Sequence, residues 1–227
     1  MNFYTERNSM QGLSEADLKK MAQQLRCPEG DEGLKIAELM NASNENMIQR
    51  TFASLDIVNS DVILEIGPGN GNHVGDIIKK YHPKRYLGID IAPTMITKSQ
   101  ELCVDMPSVS FSLTDGKTIP FDDITFNKIF TVNTIYFWED PQEYLGEIKR
   151  VLKKGGLLSI GFLPKRIMEK IPFATFGFTF WDETAVASLL EDSGFAILTE
   201  ITEEETIIGN MSQKIAREFV ITSARKL

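Results

Sequence analysis

Two kinds of apolar spacing alternate along this chain. Unbroken or alternating apolar runs predict strands at 62–66, 85–90, 109–113, 126–132 and 157–162, with two more at 195–199 and 214–222. Between them, apolar residues recur at helical spacing. Val74, Ile77, Ile78 and Tyr81 mark the first such helix, and Met95, Ile96, Ser99 and Leu102 the second. Tyr144, Leu145, Ile148, Val151 and Leu152 mark a third, and Val186, Leu189 and Leu190 a fourth. Asp140-Pro-Gln-Glu143 and Asp182 supply helix starts, and Gly155 and Gly194 are read as helix stops. Strand–helix alternation predicts an α/β domain built on a parallel sheet.

Residues 1–55 lie ahead of the first strand and read as a helical extension, with the remaining domain at 56–227. Ser14 and Asp17 form a capping pair before Leu18, Met21 and Leu25, and Cys27-Pro-Glu-Gly30 breaks that helix. A second helix carries Ile36, Leu39 and Met40. A third starts near Ser43 or Asn44 and carries Met47, Ile48, Phe52 and Leu55.

The first strand ends in Glu65-Ile-Gly67-Pro68-Gly69-Asn-Gly71, followed at once by a helix. Glycine allows the positive φ of a tight turn and lets a ligand touch backbone. The exposed N–H groups of a helix start favour an anionic group. The dinucleotide fingerprint spaces its glycines G-x-G-x-x-G, whereas here they run G-x-G-x-G. Glu65, two residues before the first glycine, would repel a pyrophosphate and favour a cation. Asp90 ends the second strand, 19 residues past Gly71, where a carboxylate can accept both hydroxyls of a ribose.

Taken in order, these motifs resemble those of class I S-adenosylmethionine-dependent methyltransferases. The run Glu147-Ile-Lys-Arg-Val-Leu-Lys-Lys-Gly-Gly156 is similar to the family's E-x-x-R-V-L-K-P-G-G, with Lys154 in place of proline. The resemblance covers the chain from about Asp61 onward and is nearest to small-molecule enzymes such as those of ubiquinone and menaquinone biosynthesis. It implies a Rossmann-like, seven-stranded, mostly parallel sheet with an antiparallel last strand, in a three-layer sandwich. S-adenosyl-L-methionine is the implied cofactor. The cofactor-facing positions it implies are Glu65, Gly67, Pro68, Gly69, Asp90, Ile91, Met95, Asp115, Gly116 and Asn133, with Ile91 and Met95 against the adenosine and Asp115 on the adenine amino group.

Asn133 to Tyr136 follows the fourth strand, where a methyl group would be presented. Its spacing mimics the N-P-P-Y of amino methyltransferases, but both prolines are missing. Tyr136 is read as facing the substrate. The aromatic crowd Phe173, Phe176, Phe178, Phe180 and Trp181 lies where the family covers its substrate, so Phe176 is a second substrate-facing candidate and the acceptor is expected to be apolar or aromatic. In the family, N-terminal helices often cover the site, and the Asn44–Met47 region would then supply its chemistry. Neither His73 nor His82 is assigned as a base.

Composition narrows the partners. Net charge is −8, against broad contact with nucleic acid, and Glu203-Glu-Glu205 reads as a solvated turn. Cys27 and Cys103 form no metal motif. No run approaches a membrane span, and a cytoplasmic protein with a small-molecule substrate is the expectation. Three rivals stay open: a nicotinamide-dependent oxidoreductase, a protein that binds the methyl donor without transferring it, and a protein or nucleic-acid methyltransferase, which the acidic balance and the missing prolines disfavour.

Overall fold

The computed structural model describes residues 13–208 and 214–227, so the first twelve residues of the expected N-terminal extension lie outside the described residues. Strands β1 (Val62–Ile66), β2 (Arg85–Asp90), β3 (Val109–Leu113), β4 (Phe126–Val132), β5 (Leu152–Phe162), β6 (Phe195–Ile208) and β7 (Lys214–Lys226) form one sheet in the order β3-β2-β1-β4-β5-β7-β6. The first five strands pair in parallel, and β7 runs antiparallel to both β5 and β6. The expected Rossmann-like sheet is therefore present. Its order reverses between β1 and β4, and in such sheets ligands settle outside the carboxyl ends of the strands at that point.

Helices α1 (Glu15–Arg26) and α2 (Gly30–Ala53) precede the sheet. Then α3 (Val74–Tyr81), α4 (Pro93–Leu102), α5 (Pro141–Val151), α6 (Lys165–Met168) and α7 (Glu183–Asp192) follow. A contact between α5 and α7, and another between α2 and α4, gather the helices into two groups. Right-handed crossovers put these groups on opposite faces of the sheet, since the strand order runs both ways from β1. Apolar side chains from both layers meet the sheet in one core that includes Phe52, Leu64, Tyr86, Phe130, Leu158 and Phe219.

The capping box at Ser14 and Asp17 forms as the sequence predicts. Asp140 accepts hydrogen bonds from the N–H groups of Gln142 and Glu143 at 3.1 and 2.9 Å, fixing the start of α5. Asp140→Ala should cost about 1 kcal/mol of stability, seen as a lower midpoint in chemical denaturation. A midpoint equal to that of the native chain would show that the cap is redundant.

Four expectations are corrected. The second and third N-terminal helices are one continuous helix, α2. Its polar middle looked like a break, but the Ser43 hydroxyl donates to the Leu39 carbonyl at 3.2 Å, one turn back, instead of capping a new helix. Leu39 and Leu102, expected on buried faces, are 36% and 46% exposed. The Gly155-Gly156 pair does not cap α5. Leu152 already pairs with Phe126, and Gly155, at φ +74°, sits in a register shift before pairing resumes at Lys128 and Leu157. Finally, β6 and β7 run well past the expected ends. Glu203, Glu204 and Glu205 form no turn but pair in β6 with Phe219, Glu218 and Arg217.

The carboxyl half of α2 belongs to the core. Met47, Thr51 and Phe52 are fully buried, and Phe52 meets the Phe130 ring edge-on at 5.2 Å. Gly161 in β5 makes this approach possible, because a Cβ there would stand 2.2 Å from the Thr51 hydroxyl. No helix among the described residues is long and apolar enough to cross a membrane.

Candidate active site

A cavity of about 240 Å³ opens at the carboxyl ends of β1, β2 and β4, under α1 and α2. All ten residues named from sequence as cofactor-facing line it: Glu65, Gly67, Pro68, Gly69, Asp90, Ile91, Met95, Asp115, Gly116 and Asn133. Gly71 lies outside the lining.

The glycine turn does two separate jobs. At Gly67, φ is +76° and a Cβ would collide with the Thr134 methyl at 2.4 Å, so this position is closed by packing. At Gly69, φ is +57° and a Cβ would meet no atom within 4 Å. The open space beside Gly69 is cavity, where a ligand can come against bare backbone.

Asp90 is buried under this turn. Its carboxylate accepts from the Gly69 N–H at 3.1 Å and from the Ala92 N–H at 2.9 Å. Burial pushes its pKa up to about 6, the nearby Glu65 adds to the rise, and the two N–H groups oppose it. Glu65 is 2% exposed at the end of β1. It receives the Tyr86 hydroxyl, and His73 Nε2 lies 2.8 Å from its Oε2. Neither partner was legible as such in the sequence. Tyr86 reads there as a strand residue and His73 as a helix residue, and only the fold brings both to the same carboxylate.

Asp115 is exposed and holds its own turn together. Its Oδ1 accepts from the N–H groups of Lys117 and Thr118, both at 2.8 Å, and these bonds hold its carboxyl below the usual range. Its Oδ2 takes the Thr118 hydroxyl at 3.1 Å. Tyr144 also lines the cavity, and burial raises its phenol pKa.

Asn133 takes a left-handed backbone, φ +57°, which asparagine tolerates better than most residues. The Tyr136 hydroxyl donates to the Asn133 amide oxygen at 3.0 Å and sits on the backbone of Leu163. Tyr136 therefore lines the cavity with its ring, while its hydroxyl is engaged in holding the loop. Phe176 is not in the lining; it lies under the Lys19 ammonium, 5.4 Å from ring centre to nitrogen. From the aromatic crowd, Phe173 and Phe178 line the cavity instead. Phe180 and Trp181 pack on the core. Arg166 points elsewhere, to Glu183 and Glu218.

The lining has two chemistries. Around the glycine turn it carries three carboxylates, Glu65, Asp90 and Asp115, with exposed backbone between them. On the side of α2 and the segment after β5 it is mainly apolar, with Ile36, Met40, Ile48, Met168, Ile171 and Phe173. The acidic end suits a ligand with cationic and hydroxyl groups. A pyrophosphate would meet Glu65 and Asp90 in a partly dry cleft, where like charges repel strongly.

Comparison with known proteins agrees with this geometry. Residues 64–160 match the family model for methyltransferase domains. The malonyl-[acyl-carrier protein] O-methyltransferase of a Marinomonas species is 25% identical over 131 residues, 58% of this chain and 48% of the relative. The phthiotriol/phenolphthiotriol dimycocerosates methyltransferase of Mycobacterium tuberculosis is 28% identical over 132 residues, 57% of this chain and 47% of the relative. The chain thus spans about half the length of the curated relatives it matches. The geranyl diphosphate C-methyltransferase of Streptomyces coelicolor superposes with a TM-score of 0.66 at 13% identity, over 88% of this chain and 87% of that one, and shares its fold. Sheet order, glycine turn and sequence match agree in likening residues 64–160 to a methyltransferase domain on a Rossmann-like sheet.

Proposed function

We propose that the protein transfers a methyl group from S-adenosyl-L-methionine to a small-molecule acceptor with an apolar or aromatic body. The observation that carries this reading is one cavity with an acidic, backbone-rich end and an apolar end. When bound, S-adenosylmethionine supplies a methyl group already activated for direct displacement.

The residues then have distinct tasks. Asp90 accepts the ribose hydroxyls, and Ile91 and Met95 pack on the adenosine. The Gly67–Gly69 backbone faces the amino-acid end of the cofactor, and Glu65, steadied by His73 and Tyr86, attracts its cationic groups. Asp115 and Gly116 border the adenine, where the outward part of the Asp115 carboxylate meets the amino group. Asn133, held by the Tyr136 hydroxyl, marks the end nearest the acceptor. No general base is assigned, which suits an acceptor that needs alignment and exclusion of water more than proton removal. Helices α1 and α2 act as the cover over both ligands, and the net charge of −8 favours a small molecule over nucleic acid as partner.

Calorimetric titration with S-adenosylhomocysteine and with NAD tests the cofactor, followed by product analysis with a panel of aromatic and lipid-like acceptors. Binding of the adenosyl sulfur compound and methylation of an apolar acceptor are expected. Binding of NAD in its place would overturn the reading. Cofactor binding with no transfer to any acceptor would favour a protein that only holds the donor.

A further inference from the structure

The Glu65 carboxylate lies behind His73. The Glu65 side chain is 2% exposed and that of His73, on the same cavity wall, is 12% exposed. His73 Nε2 stands 3.1 and 2.8 Å from the two carboxylate oxygens, and the Tyr86 hydroxyl donates to the same group. A carboxylate only accepts, so Nε2 carries the hydrogen and donates it. The lone pair of the neutral ring then falls on Nδ1, because the bond made by one ring nitrogen sets the role of the other. Among the described residues Nδ1 has no hydrogen-bond partner, and it is not sealed from solvent. The cavity wall thus presents a hydrogen-bond acceptor backed by a buried negative charge.

Position says what this acceptor meets. His73 is the N-cap residue of α3, two residues past the glycine turn, and its side chain makes no capping hydrogen bond. It therefore stands beside the backbone that the reading above gives to the amino-acid end of the cofactor. That end carries a carboxylate and an ammonium. Backbone N–H groups of the turn suit the carboxylate, and the ammonium needs an acceptor with a counter-charge. Asp90 already accepts from two backbone N–H groups and is assigned to the ribose, and Asp115 is exposed in the turn after β3. His73, with Glu65 behind it, is the acceptor left at this end of the cavity.

Resting on the methyltransferase reading above, we propose that His73 is the contact for the ammonium of the methyl donor: its Nδ1 accepts one N–H of that group, while Glu65, acting through the imidazole, supplies the counter-charge. Tyr86 holds Glu65, Glu65 holds the ring and its tautomer, and the ring meets the cofactor. No proton changes hands; the chain of hydrogen bonds is polarised from the carboxylate outward. Adenosyl compounds that lack the ammonium lose this contact and bind more weakly, whatever else they share with the donor.

Calorimetric titration with four probes tests this: S-adenosylhomocysteine, its deaminated analogue, its decarboxylated analogue, and methylthioadenosine, which has neither charged group. The native chain should bind S-adenosylhomocysteine about ten- to a hundredfold more tightly than the deaminated analogue, as befits a hydrogen bond from a charged donor. His73→Gln keeps an amide N–H for Glu65 and has nothing at the Nδ1 position. It should melt near the native temperature, lose most of its affinity advantage for the two ammonium-bearing probes, and bind the deaminated analogue and methylthioadenosine as the native chain does. Glu65→Gln, with His73 in place, should reduce the same advantage. Equal affinity of the native chain for S-adenosylhomocysteine and its deaminated analogue would overturn the assignment without any variant. So would an ammonium preference that survives His73→Gln, a loss in that variant shared by all four probes, or a loss confined to the probes with a carboxylate. Failure of S-adenosylhomocysteine to bind the native chain would instead strike the methyltransferase reading itself.

Discussion

Glu205→Ala should lower the stability of the fold by about 3–5 kcal/mol, the usual cost of stripping one partner from a buried ion pair. Arg217 and Glu205 face each other across the β6–β7 hairpin, with side chains 2% and 8% exposed and Nε 2.6 Å from Oε1. The same guanidinium donates to the Ser43 carbonyl, and Asn46 donates to Glu205 at 2.9 Å. The long end of the hairpin is therefore bound to the middle of α2, with Arg50 and Glu203 adding a more exposed pair beside it. Without Glu205, Arg217 keeps its burial and loses the carboxylate 2.6 Å from its Nε. Urea denaturation of the single variant reads the cost directly. Replacing both residues, as Arg217→Met with Glu205→Leu, should recover most of the loss, since two apolar side chains leave no charge to satisfy. A loss under about 1 kcal/mol in the single variant would mean that water reaches this pair and that the hairpin does not anchor α2. The same ties bear on the site, because Asn41, Asn44 and Ile48 line the cavity from the stretch of α2 that the hairpin holds.

That hairpin is also where sequence reading gave least. Residues 195–199 and 214–222 carry enough apolar alternation to announce strands, but Glu203-Glu-Glu205 looks like a solvated turn. Local charge is a sound guide to exposure only until a distant residue supplies a partner. Arg217, twelve positions further on, does so for Glu205. In the parallel half of the sheet β1 and β2 are mostly buried and read as short apolar runs, whereas the edge strand β3 is half exposed and shows itself only by alternation around Phe111. Helix α2 was misread for the opposite reason. Its polar middle is a true local signal, but Asn41 and Asn44 belong to the cavity lining and the helix runs on through them.

The site divides in the same way. Backbone-driven features, such as the glycine turn and the acid at a strand end, could be placed by counting residues. Side chains that arrive through tertiary packing could not. Tyr86 and His73 reach Glu65 from two other elements, and Phe176, one of several aromatics in a stretch without clear period, turned out to lie outside the lining while Phe173 and Phe178 lie within it.

Cofactor binding should weaken as the pH falls below about 6, and Asp90 should be the cause. Burial favours its neutral form, so the native carboxyl holds its proton to a higher pH than the unfolded one. Its contribution to stability is therefore present in full below its ordinary value of 3.8 and is lost as the pH rises through about 6. Ligand binding has the opposite sign. Ribose hydroxyls donate to a carboxylate, so the bound state prefers Asp90 ionised and must displace its proton at low pH. Near pH 5, affinity for S-adenosylhomocysteine should drop about tenfold per pH unit until the pKa of the bound form is reached. Among the described residues, Glu65, Cys27 and Tyr144 share a charge interaction with Asp90. Burial raises the pKa of both Cys27 and Tyr144, which keeps their titration above this window. At pH 7, Asp90→Ala should lose about 1–3 kcal/mol of binding, the worth of hydrogen bonds to a charged acceptor. Asp90→Asn should bind more weakly than the native chain at pH 7 and show no step near pH 6. Calorimetry from pH 5 to 7 on the native chain and on Asp90→Asn separates the possibilities. A step that survives in the asparagine variant would rule out Asp90 as the titrating group, and a flat native profile would remove Asp90 from the ribose altogether.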